Sequence, residues 1–482
     1  MSLAFARKKK YPLGRGKRTR QTMYMNNSPW IAQLKRTRRE DRLNGNKEAD
    51  IAIVGGGIAG LSTAYYTLKN TKKSVILLEG NLVAHGATGH NAGQIVTYFE
   101  KPIREIVAEY GLDLAAQAQE AINTAWTDLA DIIREASLSS TLYTFTGYLG
   151  CSTSIQFINF LEDAFWLAKA GLKADVYLIS QEAADAWAEE LKPYAKHFSI
   201  VSHREIHSLL ETDDTQYHAA VAAQKGCLNS AVFTEELAGF LLKNYPDRFQ
   251  LFERSPVGVI ELEEKNVSIH SSGFHIEAKR IILCTNGFEQ ITLINRRGRE
   301  IDSRFHADVQ GTVGYMSACL DPIDRPPTAI SYFPKDTKSS EHGGVYFYLT
   351  RRPHEAEKQV QHNLVCLGGP EEVLPDNKTY NRNAVFPKKI AKDLQVFLAK
   401  TYQSAPQENG LEYYWHGLMG YTKTGLRIVG AEPCNPVLMY NLGCNGIGIL
   451  PSIYGGKKIA SILAGKKQKP SVFDPKDLRC AI

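Results

Sequence analysis

No run in the 482-residue chain approaches the ~18 consecutive apolar residues that a membrane-spanning helix needs. The longest, Ile51 to Leu61, is 11 residues and full of Gly, so it reads as a buried strand and turn and no membrane span is expected. Cysteine is sparse: eight residues are scattered and none form a C-x-x-C pair. With no hydrophobic signal-like stretch either, they read as reduced thiols in a cytoplasmic compartment, and no zinc or other metal site is expected. Internal repeats are lacking. Acid is scarce only at the start, where residues 1–47 carry two acids against 14 Lys and Arg. That arm holds +12 of a chain whose total is +6, leaving −6 for the body. It reads as a solvated, partly disordered extension. Nucleic acid, anionic lipid or an import receptor could meet such charge, though a nucleic-acid partner is not expected. What remains, at 43% hydrophobic and 22% charged residues, is globular and long enough for two or three folding units.

The first element after the arm is a β-branched run, Ala49 to Val54, followed by Gly55-Gly56-Gly57-Ile58-Ala59-Gly60 and a stretch of helical spacing, Leu61 to Leu68. A second strand, Val75 to Leu78, closes on Glu79. Gly55, Gly57 and Gly60 satisfy G-x-G-x-x-G between a strand and a helix. Gly55 permits the tight turn, Gly57 admits a pyrophosphate and Gly60 lets helix and strand pack. The helix start, at Ile58 and Ala59, offers N–H groups to phosphate. Glu79, 19 residues beyond Gly60, is placed for a ribose diol and would repel a 2′-phosphate. A dinucleotide follows, with FAD and NAD both open at this point.

Downstream, residues 103–137 and Ile155 to Ala170 have helical spacing, short alternating runs between 250 and 284 suggest a meander, and Pro451 to Leu463 suggests a last helix.

Just past Glu79 stands Gly86-Ala87-Thr88-Gly89-His90-Asn91-Ala92-Gly93-Gln94. Here the chain resembles the FAD-dependent amine and amino-acid oxidoreductases of the D-amino-acid oxidase (DAO) superfamily, most closely the branch that includes the gamma-glutamylputrescine oxidases, with its G-A-S-G-R-N-G-G-Q loop. Asn27-Ser28-Pro29-Trp30 is similar to that branch's lead. Cys284-Thr285-Asn286-Gly287-Phe288 resembles its A-T-N turn, and Trp415-His416-Gly417 through Gly430 its W-x-G segment. Gly443-Cys444-Asn445-Gly446-Ile447-Gly448-Ile449 is similar to G-x-x-G-H-G-V. Ile447 replaces the His of that turn, and Lys423 an Asp. His90 falls where dimethylglycine and sarcosine dehydrogenases carry a flavin-linked His, so covalent attachment is a rival to the non-covalent pattern of the rest of the loop.

The resemblance implies an α/β fold: a discontinuous Rossmann-like (GR2-type) FAD-binding domain from 48–139, 226–295 and 410–482, and a second α+β substrate domain on a mixed sheet from 140–225 and 296–409. The implied FAD site adds Gly86, Thr88, His90, Asn91, Gly93, Gln94, Val257, Thr285, Asn286, Gly287, Gly446, Ile447, Gly448 and Ile449 to the first Gly-rich loop. Tyr348 and Arg351 resemble a Y-x-x-R segment, in which the Arg would clamp a substrate carboxylate; His306 and Tyr315 would line the cavity, and Tyr98 and Trp415 would be core or wall. The implied reaction is oxidation of a C–N bond of an amine or amino acid, polyamine-derived or N-substituted, with oxygen or another electron acceptor. Rivals are a D-amino-acid or sarcosine-type dehydrogenase and a non-catalytic or nucleic-acid-associated flavoprotein.

Overall fold

The computed structural model describes residues 25–287, 290–335, 346–354, 362–375, 380–402 and 413–476. Arg7 to Arg20 of the arm, Phe288 and Cys480 lie outside them.

Two sheets organise the chain. In the first, Lys47–Val54 is central, pairing in parallel with Val75–Leu78 on one side and Phe274–Leu283 on the other. Phe249–Phe252 and Leu438–Leu442 extend it, also in parallel. These strands are near-continuous apolar runs because both sheet faces are covered, and all four residues of Val75–Leu78 are buried. The meander Val257–Leu262, Val267–Ser271, Phe274–Leu283 is antiparallel, and its middle strand alternates buried with half-buried residues.

Helices Ile58–Asn70 and Ile449–Leu463 pack against each other on one face. Their contact is intimate: a Cβ on Gly456 would lie 2.8 Å from the Ser62 carbonyl carbon and from the Thr63 nitrogen. Asn441 bridges them, its Nδ2 donating to the Thr63 hydroxyl and the Ser452 carbonyl at 3.2 Å each. Consequently the first residues of both helices, Ile58 and Ile449, open on one cavity.

Among the described residues the second sheet has ten strands, largely antiparallel. Its core is Tyr413–Thr422, Val309–Pro322, His362–Val373, Phe347–Pro353, Thr328–Phe333, Tyr143–Cys151 and Ala219–Cys227, in that spatial order. Two of its strands come from stretches expected in the FAD domain: Tyr413–Thr422, and Gln94–Val96, which pairs with Ala219–Cys227.

Two expectations are corrected. From residue 25 the arm is packed rather than a solvated extension. Trp30 is fully buried, and Arg36 and Arg38 pair with the buried Glu235 and Glu253. The local positive charge thus has a structural use as the counter-charge of two acids taken out of water. Among the described residues six cysteines are free thiols, but Cys434 is disulfide-bonded, so not every cysteine is reduced. Among the described residues no helix is long and apolar enough to cross a membrane.

Since backbone lies where a larger side chain at 456 would go, Gly456→Val forces the two helices apart at an overpacking cost of about 1–3 kcal/mol. The expected outcome is a lower melting temperature together with loss of bound cofactor, read from the visible-to-ultraviolet absorbance ratio, although residue 456 does not touch the cavity.

Candidate functional site

One cavity of about 860 Å3 runs between the sheets. At the first Gly-rich turn, Gly55 has φ +109°, and a Cβ there would sit 2.6 Å from the Cys284 carbonyl oxygen. Gly60 serves the same turn from behind, its missing Cβ leaving room for the Gly55 carbonyl. Gly55, Gly57, Ile58 and Ala59 line the cavity, whereas Gly60 does not. The Ile58 N–H donates to the Thr88 hydroxyl at 3.0 Å, so the second loop caps the helix that the first one opens. Glu79 also lines the cavity. Its carboxylate accepts from the Gly56 and Asn81 N–H groups at 2.7 Å each, while burial raises its pKa.

The loop 86–94 forms the next wall. Gly86, Thr88, His90, Asn91 and Gln94 face in, and Gly93 turns out to meet the Trp30 ring. The His90 Nδ1–H donates to the Gly86 carbonyl at 3.0 Å, and burial holds the imidazole down to about 4, hence neutral. Val257 lines the cavity beside Pro256 and Gly80.

Opposite stands the 443–449 turn. Gly443, Asn445 and Gly446 all have positive φ, and the helix begins at Ile449 with no side-chain cap. The Cys444 N–H donates to Asn286 Oδ1 at 3.0 Å, tying this turn to Thr285-Asn286. Thr285, Asn286, Gly446, Ile447, Gly448 and Ile449 face the cavity; Gly287 instead packs on Val309.

The second sheet supplies the remaining wall, and strand periodicity sorts the expected substrate residues. Side chains two apart share a face, and those three apart do not. Tyr346 and Tyr348 point into the cavity. Arg351, three residues past Tyr348, therefore points to the other face and is fully buried there. It forms a bidentate pair with Glu211 at 2.6 and 2.8 Å and bonds the Tyr402 hydroxyl and the Pro326 carbonyl. The proposed carboxylate clamp at Arg351 is thus corrected to a structural ion pair. His306 is also outside the cavity: its Nε2–H donates to the Ile291 carbonyl at 2.9 Å from a short helix, Asp302–Ala307. Tyr315 faces away from the cavity too, donating to Glu372, while Tyr98 is wall and Trp415 is core.

Several cavity residues carried no motif: Glu100, Glu371, Tyr346 and Arg382. Glu100 accepts from the Tyr346 hydroxyl at 2.7 Å. Glu371 opens onto the cavity from the exposed end of its strand, and partial desolvation, with Glu100 nearby, pushes its carboxyl up to about 7. Tyr98-x-Glu100 directly after the loop was the one available cue. Glu371, on a strand end, had none.

The family model described as FAD dependent oxidoreductase (DAO) matches residues 50–462. The chain belongs to this family. FAD is accordingly its cofactor. The oxidoreductase is similar to gamma-glutamylputrescine oxidoreductase of Escherichia coli (strain K12), 35% identical over 95 residues, which are 20% of this chain and 21% of that protein. The match thus spans about a fifth of that relative. Among solved structures it is similar to glycine oxidase from Geobacillus kaustophilus (TM-score 0.63, 15% identity, covering 89% of this chain and 98% of that one). L-proline dehydrogenase from P. horikoshii is comparable, with TM-score 0.62, 15% identity and coverage of 89% and 97%. At such identities these two show the fold alone.

The residues present fit the flavin cofactor. Two helix N-termini open on the cavity, neither capped by the side chain of its own N-cap residue, Gly86 leaves open space where a side chain would stand, and the buried Thr285 hydroxyl has no partner among the described residues. Thr285→Val keeps the shape and removes that hydroxyl. FAD affinity is expected to fall about tenfold, by the ~1–1.5 kcal/mol of one hydrogen bond, measured by fluorescence titration of the apoprotein, whose own melting temperature does not fall. Arg351→Ala is expected to destabilise by about 1.5–3 kcal/mol in denaturant melts by removing one of the two guanidinium partners of Glu211, Arg325 remaining, with FAD content and the substrate KM unchanged.

Proposed function

We propose that this chain is an FAD-dependent oxidase or dehydrogenase acting on the C–N bond of an amine or amino acid, with a polyamine-derived or N-substituted compound as the favoured substrate. FAD held by the Gly55–Gly60 turn, the 86–94 loop and the 443–449 turn would supply the two-electron acceptor for oxidation of the C–N bond to an imine, which water would hydrolyse to a carbonyl compound and an amine. Oxygen, giving hydrogen peroxide, or another acceptor takes the electrons onward.

The chain's own part is positioning and shielding. The 443–449 turn would hold the reactive ring by backbone N–H groups where negative charge develops on reduction. Tyr346, Tyr348, Met316 and Met419 would roof the substrate and keep water off the reacting carbon. No acid or base need touch that carbon, because an amine that has lost its proton passes hydride once held close.

The observation that carries this reading is the shared cavity: pyrophosphate helix, 443–449 turn and the Tyr348 face of the second sheet border one space. The likeness to gamma-glutamylputrescine oxidoreductase favours the polyamine-derived class. The six free thiols favour a cytoplasmic location, with Cys434 the exception.

The test is an anaerobic screen of the purified yellow protein against diamines, N-alkylated amines and amino acids. At least one amine or amino acid is expected to bleach the flavin band, and admitting oxygen or an artificial acceptor to restore it. A flavin that no amine or amino acid reduces would overturn the reading.

A further inference from the structure

The substrate wall of the cavity has an unusual charge pattern. Its half-buried Glu100, and Glu371 at the exposed end of a strand, both line the cavity without a salt-bridge partner among the described residues. Each is held only by a phenol, Glu100 by Tyr346 at 2.7 Å and Glu371 by Tyr421 at 3.4 Å. One oxygen of each carboxylate is left over. The Tyr348 hydroxyl, enclosed on the same wall, has no hydrogen-bond partner among the described residues, and its ring stands 5.7 Å from that of Tyr346. Gly368 makes room for this ring: a Cβ there would lie 2.5 Å from it.

The group reaches the 443–449 turn. A Cβ on Gly446 would sit 2.8 Å from Glu100 Cγ and 2.9 Å from the Tyr421 hydroxyl, so acid and phenol both press on the backbone that would hold the ring. Among the described residues no cationic side chain is hydrogen-bonded to either acid, although Lys225 lies near enough to Glu100 to attract it. Lys225 is wholly buried behind Tyr98, spends its ammonium on Ser331 and the Tyr148 carbonyl, and does not line the cavity. Of the two lining arginines, Arg427 is bonded to Asn441 and to the Gly443 carbonyl, and Arg382 lies on the Glu79 and His90 side. Arg351, the residue positioned in sequence for a carboxylate clamp, is on the far face.

We propose that Glu100 and Glu371, with the faces of Tyr346 and Tyr348, form a cage for a positively charged nitrogen, so that the enzyme selects an amine carrying a second cationic group and rejects substrates with a carboxylate on the reacting carbon. This rests on the amine-oxidising reading and assigns its specificity. Carboxylates supply the Coulomb attraction and charge-assisted hydrogen bonds; aromatic faces stabilise the same charge by its attraction to their electron-rich surface. One cation between the acids relieves their mutual repulsion and completes their hydrogen bonds. An α-amino acid would bring a third carboxylate into the same space with no cation to meet it. Glu100 and Glu371 are specificity residues in this scheme: they touch the substrate's remote nitrogen and take no proton from the reacting carbon.

The experiment uses the FAD-loaded full chain. Anaerobic stopped-flow reduction with 1,4-diaminobutane, n-butylamine and D-alanine separates the dissociation constant from the limiting rate. Calorimetric titration with the same diamine reads binding without turnover. The diamine is expected to bind at least about tenfold more tightly than the monoamine, and D-alanine to bind weakly or not at all. Glu371→Gln and Glu100→Gln should each weaken the diamine about tenfold while leaving FAD content unchanged and n-butylamine binding within twofold. Tyr346→Phe, which keeps the ring and frees Glu100, provides a variant that retains the cage shape. A diamine dissociation constant unmoved in both Gln variants, or tighter binding of D-alanine than of the diamine, overturns the cage. Flavin reduced by D-alanine alone would sink the cage while leaving the oxidoreductase reading intact. Glutamate-dependent diamine binding in calorimetry with no amine or amino acid reducing the flavin would do the reverse.

Discussion

The site depends on the approach of two helices far apart in sequence, Ile58–Asn70 and Ile449–Leu463. Each alone is an ordinary helix with a positive N-terminal end; together they put two such ends on one cavity. Asn441 sets the geometry. It donates to Thr63 on one helix and to Ser452 on the other, and its Oδ1 accepts from Arg427 at 2.6 Å. Arg427 in turn bonds the Gly443 carbonyl at 3.3 Å, fixing the start of the turn. Gly455 and Gly456 provide the space, a Cβ on Gly455 falling 2.1 Å from Asn441 Oδ1. A buried amide with its hydrogen bonds satisfied specifies one arrangement and penalises others, since any slip leaves polar atoms stranded.

A second restraint acts on the loop 86–94. The segment Ser28 to Trp30 lies across it: the Ser28 hydroxyl donates to the Gly89 carbonyl, the Trp30 indole N–H to the Asn91 carbonyl, and the Trp30 ring fills the space beside Gly93. From the other side Asn91 donates to Ser230 at 2.9 Å. A Gly-rich loop would otherwise sample many conformations. Held from both sides, it presents its backbone to the cavity already ordered, so less entropy is lost when a cofactor binds.

The legible parts of the sequence were those whose meaning is local. The Gly55–Gly60 turn, Glu79 and the 443–449 turn each join special backbone geometry to a short span of chain, and all reach the cavity except Gly60, which supports it from behind. Gly93 and Gly287 were read as cofactor contacts but meet Trp30 and Val309, because a glycine required for close packing looks in sequence like one required for a ligand. Arg351 went astray for a different reason. A Y-x-x-R spacing places both side chains together on a helix, but on a strand it sends them to opposite faces. That Glu100 and Glu371 share a wall is illegible in sequence because they meet only through the fold, 271 positions apart. The arm was misjudged as well: its charge suggested solvent, while Arg36 and Arg38 answer acids two hundred residues away.

The cavity is polarised along its length, and this constrains what reacts there. One region offers helix N-termini and Arg382 to a diphosphate; the other offers two carboxyls and a set of phenols. Glu100 lies against the Gly446 turn, where an ionised carboxylate would oppose the negative charge that reduction adds nearby. Burial raises both carboxyls, a bias toward the protonated form. A cation in the cage reverses that preference and screens the acids from the turn. In the proposed cage, occupancy of the remote site and ease of electron transfer at the ring would therefore be coupled through one pair of carboxyls, and a substrate without the second charge would forgo both effects.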